Sequence, residues 1–532
     1  MLLYLAIAFS LANLVCFPLW QAALHYPNEY YYDTPSAGRS ILAVALVATV
    51  LSGLLWVGAL TLRSWGDRTA RALGRSAFLA LLLVPLNHVR TNLGESGPLI
   101  ETAGKATVIL VAVLVLAGIY ATLRGAGRPA LIARLAVLVF LPYGLLAFGQ
   151  GAWVLAGGRD ALFRQIPPAP AIAADHGQER PRALWIIFDQ LDQELTFETR
   201  PGDVRLPALD RLREEALSAE QAYAPAGWTL VSLPALLTGR LVERAKPASA
   251  SELWLKFTDQ TEPELWGVQP SVFSRARARQ LDTALVGNYH PYCRILGDLV
   301  SCYSVSYREG VPDPCGSVAC MSVREAVGLI YRLPLMDRVP WIRLSHEALS
   351  TTAAWDEARA GIERFRSIHR RALELATDPA MDLVFLHYPV PHGPIIFNRS
   401  TGDFLQPGEA AGRFDNMVLA DRALGELRAA MEAAGLWERT AVLVSADHGE
   451  KDLSEFAYDT EGRRIERRVP FILKLPLQDV AVRYAKPMNT VISQDLVLAI
   501  LDGEVADATS LVAWLDNHVT FGPSPVFPGN EN

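Results

Sequence analysis

Four stretches of the chain place metal-ligating or nucleophilic side chains where catalysis could use them. WIIFDQLD ends an apolar run in Asp189, with Asp192 just beyond. LVFLHYPVPHGP carries His387 and His392, and AVLVSADHGE carries Asp447, His448 and Glu450. AYAPAGWTLVSLPALLTGR, from Ala222 to Arg240, sets Thr229 and Ser232 among small apolar residues. Carboxylate and neutral imidazole are the ligands that zinc or manganese takes. Singly, each residue has a plainer role: an acid after a strand caps the next helix, a strand-end histidine is a satisfied structural group, and Thr229 is an N-cap. Jointly, three acid- or histidine-bearing strand ends point to a metal centre. Asp447-His448-Gly449 is the strongest of them, because the glycine permits close backbone approach. Beside a cation, a hydroxyl at a helix N-terminus loses its proton more readily and becomes a nucleophile. The residues alone leave open both cap against nucleophile and Thr229 against Ser232.

Such a site needs a sheet to bring its parts together. ALWIIFDQ, Asp382–His387, Thr440–Ser445 and Val469–Leu475 read as strands, and Ala208–Ala219, Asp356–Ala376 and Asn416–Ala434 as helices. This alternation predicts an α/β fold with helices on both faces of a mostly parallel sheet, whose ligand site lies beyond the carboxyl ends of the strands. Ahead of it stand five apolar runs, Leu2–Leu24, Ile41–Leu62, Ala77–Val89, Ala106–Leu123 and Leu135–Ala156. Most approach the roughly 20 residues that cross a bilayer as a helix; the third is short. The expected division is a transmembrane domain over 1–157, a Pro/Ala/Gly-rich linker over 158–180 and a catalytic domain over 181–532.

Arginines cluster in the second loop (Arg63, Arg68, Arg71, Arg75) and the fourth (Arg124, Arg128, Arg134), whereas the first is acidic and aromatic and the third holds Glu95 and Glu101. Basic loops stay in the cytoplasm, so an odd number of spans puts the catalytic domain outside. The first run lacks a charged leading segment and is followed by further spans, unlike a cleaved signal peptide. Of five cysteines, Cys293, Cys302, Cys315 and Cys320 fall in one polar stretch with no CxxC spacing, which favours disulfides over a zinc knuckle and agrees with an oxidising compartment. The net charge of −7 over 532 residues offers no basic face for general nucleic-acid binding. The Ala- and Arg-rich composition fits a bacterium with a GC-rich genome, and hence a multi-pass inner-membrane protein with a periplasmic domain.

Taken in order, the strand ending in Asp189, the LLTGR helix, the HxxxxHGP segment, SADHGE and RVPFILKLP resemble the alkaline phosphatase and sulfatase superfamily. The resemblance implies an alkaline-phosphatase-like α/β sandwich and puts Thr229 at the nucleophile position. It also puts Val231 and Leu233 where sulfatases carry proline and arginine. Threonine cannot be oxidised to the formylglycine aldehyde of sulfatases, so ordinary sulfate-ester hydrolysis is not implied. Threonine nucleophiles after five membrane helices are found in bacterial phosphoethanolamine transferases and lipoteichoic acid synthases, which this chain resembles in layout. That likeness implies one zinc or manganese ion held by Asp189, Asp447, His448 and Thr229, with Asp189 standing where those enzymes carry glutamate. It assigns His392 to phosphate binding or leaving-group protonation, and makes His387 and Trp228 substrate-binding candidates. Arg468 stands where those enzymes often have a histidine ligand, which implies an anion-binding arginine instead. The activity implied is transfer of a phosphorylated head group, phosphoethanolamine from phosphatidylethanolamine first among them, from a membrane phospholipid to an envelope glycan or glycolipid such as lipid A. The alternative is a hydrolase (phosphodiesterase, phosphatase or sulfatase) using the same residues.

Overall fold

The computed structural model describes residues 1–25, 31–32, 37–65, 67–92, 98–172, 181–308, 310–333, 336–351, 354–450 and 468–518. Glu95, residues 173–180 of the expected linker and most of the tyrosine-rich first loop lie outside them. The chain divides into two compact units. A helical unit comprises Met1–Glu29, Thr34–Leu162 and Pro312–Ala353, and an α/β unit comprises Tyr30–Asp33, Phe163–Val311 and Ala354–Asn532.

In the helical unit, Gly38–Ser64, Arg68–Val89 and Arg128–Gly158 are each long and apolar enough to cross a membrane. Leu2–Val15 and Phe17–Leu24 qualify together but bend by 59° at Cys16, where Pro18 opens the second segment. The expected run Ala106–Leu123 falls inside the helix Pro98–Leu123. Leu54, Leu114 and Leu146 are among many exposed apolar residues of these helices, as a surface facing lipid requires. Pro312–Ala353, which carries the last two cysteines, belongs to this unit too, as helices Val318–Tyr331 and Pro340–Ser350 with a Cys315–Cys320 disulfide.

The α/β unit is built on an eight-stranded sheet. Its strands in chain order are β1 (Arg182–Asp189), β2 (Leu217–Ala219), β3 (Thr283–Tyr289), β4 (Ser301–Ser306), β5 (Leu383–Pro391), β6 (Thr440–Ala446), β7 (Phe471–Lys474) and β8 (Val482–Tyr484). They lie in the spatial order β8-β2-β7-β6-β1-β5-β3-β4. The run β6-β1-β5-β3-β4 is parallel throughout, and β7 is antiparallel to both its neighbours. All eight residues of β1 are buried, so the sheet is covered on both faces. Alternate side chains go to opposite layers. Leu184, Ile186 and Phe188 pack with residues of helices α1 (Pro207–Glu215), α4 (Ala354–Ala376) and α5 (Arg413–Ala433). Ala183, Trp185 and Ile187 pack with residues of α2 (Thr229–Thr238), α3 (Val272–Ala278) and α6 (Ser493–Leu501). This is the layered α/β architecture expected from the sequence.

One expected element is different. The helix read over Ala208–Ala219 stops at Glu215, and Ala216 is extended at φ −131°, ψ 169°. Leu217–Ala219 then form β2 against β7, because Leu217 and Ala219 bury on one face of the sheet and Ala216 on the other.

Trp185 is fully buried at the sheet centre, edge-on to Phe385 at 5.1 Å between ring centroids. Trp185→Ala is expected to cost roughly 3–5 kcal/mol and to lower the thermal transition of the α/β unit by about 5 °C. An unchanged calorimetric transition in the full-length protein would contradict this packing.

Candidate metal centre and nucleophile

Three neighbouring parallel strands deliver the site. Asp189 is the last residue of β1, Asp447 and His448 follow β6 directly, and His392 follows β5. All sit at the carboxyl edge, where parallel-sheet proteins bind ligands. Acceptor atoms of Asp189, Asp447 and His448 converge to within 4.8 Å of one another, and all three residues are buried. Thr229 joins them: its Oγ1 stands 3.2 Å from His448 Nε2.

The described hydrogen bonds turn acceptor atoms of Asp447 and His448 toward one another. His448 Nδ1–H donates to the Gly449 carbonyl at 2.8 Å, so in the neutral ring Nε2 carries a bare lone pair. That nitrogen faces Asp189 Oδ1 and Asp447 Oδ2, each at 3.5 Å. The N–H groups of Gln190 and His448 satisfy Asp447 Oδ1 at 3.1 and 2.9 Å, whereas its buried Oδ2 has no partner of good hydrogen-bond geometry among the described residues. Burial alone would raise the Asp447 carboxyl; His448, His387, the Thr229 hydroxyl and the Gln190 N–H outweigh it and hold the group below its ordinary value. Two carboxylates and an imidazole lone pair converging in a buried space fit a divalent cation, with three protein ligands and Thr229 Oγ1 as the fourth donor.

Local structure separates the two hydroxyls. Trp228, extended at φ −141°, is the N-cap of α2, and no side chain caps the helix. Thr229 is therefore the first helical residue, and its hydroxyl is not the cap. The first-turn N–H groups and the helix dipole remain directed at the site and favour an anion there. Ser232 Oγ donates to the Asp447 carbonyl, which ties α2 to the metal-binding loop and makes Ser232 a strut rather than a nucleophile. At the far end, Gly239 closes the helix at φ +67°, and a Cβ there would run into the Gln494 side chain. This is the physical reason for glycine in LLTGR.

The remaining expected residues divide. His392 Nδ1 donates to the Gly393 carbonyl at 2.8 Å, and its ring lines a pocket with Asp189, Asn288, Tyr307 and Arg364. His387 is fully buried. It donates from Nδ1 to the Asn288 carbonyl at 2.9 Å with the Tyr292 hydroxyl at 3.0 Å, and its Nε2 has no partner among the described residues. Burial holds its imidazole below the ordinary histidine value. Trp228 is 48 % exposed beside the nucleophile. Arg468 is not brought to the cluster: its guanidinium pairs with Glu198 at 2.6 Å and donates to the Glu220 carbonyl at 3.0 Å. Asp192 and Glu450 are also structural. Asp192 accepts from the Leu195 and Glu450 N–H groups, which joins the loops after β1 and β6.

Sequence reasoning missed a fourth strand end. β3 runs into Asn288-Tyr289-His290-Pro291-Tyr292, and three of these residues reach the site or its supports. The signal was present, since TALVGN is a buried strand ending in polar and aromatic residues, as the recognised ones do. Asn416 of α5 was missed as well. Its side chain gathers the His392 and Pro394 carbonyls and the Ile396 N–H, and so orders the PHGP loop.

No protein-family model matches the chain, and no curated protein matches it. Solved structures similar to it include a phosphonate monoester hydrolase of Agrobacterium radiobacter, 12% identical over 62% of this chain and 78% of that one, with a TM-score of 0.38. A protein in the alkaline phosphatase superfamily from Vibrio parahaemolyticus is 14% identical over 64% and 72%, at 0.38. The lipoteichoic acid synthase LtaP from Listeria monocytogenes is 11% identical over 65% and 78%, at 0.36. Similarity at this level concerns the fold, and the site is argued from its own geometry.

Purified full-length protein is expected to carry about one divalent ion per chain by elemental mass spectrometry. Asp447→Asn and His448→Ala should each lower that content more than tenfold, because removing a direct ligand exceeds the 10–100-fold cost of losing a supporting contact. Thr229→Ala should keep most of the metal. Equal metal in wild type, Asp447→Asn and His448→Ala would rule out the centre.

Proposed function

We propose that this protein is a metal-dependent phosphotransferase that moves a phosphorylated head group from a membrane phospholipid to a hydroxyl of an envelope glycan or glycolipid. Phosphoethanolamine is the head group that fits the resemblance best. The carrying observation is the buried Thr229 hydroxyl, uncapped at a helix N-terminus and 3.2 Å from His448 Nε2 in a cluster of acceptors.

Asp189, Asp447, His448 and Thr229 would hold zinc or manganese, which when bound lowers the hydroxyl pKa and neutralises charge on the phosphoryl oxygens. Thr229 gives up its hydroxyl proton, and its Oγ1 attacks phosphorus in line. The Oγ1–P bond forms, the bond from phosphorus to the lipid oxygen breaks, and the departing diacylglycerol takes up a proton. His392, with Nδ1–H committed to the Gly393 carbonyl, acts as the imidazolium: its Nε2–H binds a phosphate oxygen or passes that proton to the leaving oxygen. The positive end of the α2 dipole favours the charged phosphoryl group. In the second half, the acceptor hydroxyl attacks phosphorus, loses its proton, and Thr229 is released. Trp228, exposed beside the nucleophile, forms part of the wall against which the head group lies.

An extracytoplasmic α/β unit follows from the arginine-rich second and fourth loops and from the oxidising environment that the two disulfides require. The apolar helices keep the pocket near its lipid donor.

Incubation with the metal and a phosphatidylethanolamine vesicle, followed by intact mass and peptide mapping, is expected to find a phosphoethanolamine adduct on Thr229. The adduct should be absent from Thr229→Ala and retained in Ser232→Ala. Ethanolamine phosphate released steadily without an acceptor would replace transfer by hydrolysis. Neither adduct nor release would remove phosphatidylethanolamine as donor.

A further inference from the structure

His290, just beyond the end of β3, is fully buried and touches the nucleophile by a route that the reaction scheme does not use. Its Nε2 lies 3.1 Å from the backbone carbonyl of Thr229. A carbonyl oxygen only accepts, so Nε2 carries the proton. Its hydrogen bonds include no carboxylate, so the buried ring keeps a single proton and Nδ1 must accept. The donor is the hydroxyl of Tyr31, 2.6 Å away and equally buried. Tyr31 comes from the sequence between the first two apolar runs, yet it belongs to the α/β unit. Its backbone is held there as well. Arg294 donates to the Tyr31 carbonyl at 2.6 Å, and Ser306 donates to that of Tyr32. The Cys293–Cys302 disulfide joins the two stretches that supply these donors.

We propose that Tyr31 and His290 are positioning residues for Thr229: the tyrosine hydroxyl fixes the imidazole in one tautomer, and the imidazole pins the first peptide plane of α2 so that the Thr229 hydroxyl points at the metal cluster. This rests on Thr229 being the nucleophile. The carbonyl of a first-turn residue ordinarily has only the N–H four residues on as its partner, and a side donor restrains rotation of that peptide about the helix axis. Misplacing a reacting atom by about 1 Å costs on the order of 10²-fold in rate, so a loosened restraint of this kind is expected to cost roughly tenfold. Neither residue touches substrate. The effect should fall on the rate of adduct formation and leave lipid affinity and metal content alone.

The test compares wild type, Tyr31→Phe, His290→Gln and His290→Ala as full-length protein. Tyr31→Phe keeps the ring that packs at right angles to Tyr32 and removes only the donor. With phosphatidylethanolamine vesicles it should form the Thr229 adduct about tenfold more slowly, with half-saturating lipid within twofold of wild type and unchanged metal. His290→Gln can still offer an N–H to the Thr229 carbonyl and should recover part of the rate that His290→Ala loses. The imidazole ¹⁵N spectrum of histidine-labelled protein, with His290 assigned from its loss in His290→Gln, gives a readout independent of turnover. A single Nε2–H tautomer in wild type should give way to a shifted or mixed signal in Tyr31→Phe. Wild-type adduct kinetics in Tyr31→Phe and His290→Ala would overturn the relay while leaving Thr229 as nucleophile. An unaltered His290 signal in Tyr31→Phe would overturn it even if the lipid assay gave no adduct in any variant, and that absence would count against the donor instead.

Discussion

The carboxyl edge of the sheet is governed by one electrostatic constraint, the convergence of acceptor groups with no proton of their own to share. His448 Nε2 faces an oxygen of Asp189 and one of Asp447, each at 3.5 Å, in a buried space. Uncompensated ions there cost several kcal/mol each, and like charges repel more strongly as the local dielectric falls. Four elements nevertheless hold the arrangement. The Gln190 and His448 N–H groups fix one oxygen of Asp447, the Gly449 carbonyl fixes the His448 ring, and Ser232 fixes the peptide carbonyl between Asp447 and His448. A bound cation relieves the repulsion, so metal affinity and stability of this edge are linked quantities.

Holding the ligands is a matter of loops, and the loops are fastened to each other more than to solvent. Asp192 joins the turn after β1 to Glu450 beyond β6, and Gln190 reaches the same glutamate with its side chain at 2.8 Å. Gln190 accepts a left-handed backbone at φ +69° to do so, a conformation that a non-glycine residue keeps only when its surroundings determine it. Asn416 does for the PHGP loop what Asp192 does for the other two. The site is therefore preorganised across three strand ends, which is what in-line displacement needs, since most of its barrier is met by positioning and charge stabilisation.

How much of this was legible in the sequence depended on range. Asp189, Asp447 and His448 could be read because each ends a continuous apolar run, and a polar residue there is conspicuous within a window of eight residues or so. The paired faces of β1 and the helices α4 and α5 follow from the same local periodicities. The end of α1 was misread because Leu217-Ser218-Ala219 continues an apolar pattern as well in a helix as in a short strand, and only the pairing with β7 decides between them. Arg468 was expected to meet an anion of the substrate. Its neighbours in space, Glu198 and Glu220, are more than 240 positions away in the chain and had already engaged the charge. Tyr31 and His290 lie 259 positions apart. No window of the sequence contains that contact.

The choice of threonine over serine follows from where the residue sits. A β-branched side chain in a helix is confined in χ1, and threonine mid-helix divides its time because its hydroxyl also bonds the carbonyl three or four residues back. At the first helical position, no earlier turn exists to supply that carbonyl. Thr229 thus keeps the stiffness of the branch without the competing bond, and its hydroxyl is left for His448. Stiffness at the side chain is useful only if the backbone beneath it is equally fixed. α2 is held at three points along ten residues: at the Thr229 carbonyl by His290, at Ser232 by the Asp447 carbonyl, and at the Leu237 carbonyl by Gln494. The first of these acts on Thr229 itself, and it reaches back to Tyr31, between the first two apolar runs. In this chain the segment that connects membrane-length helices also reaches, through His290, the backbone of the residue proposed to attack.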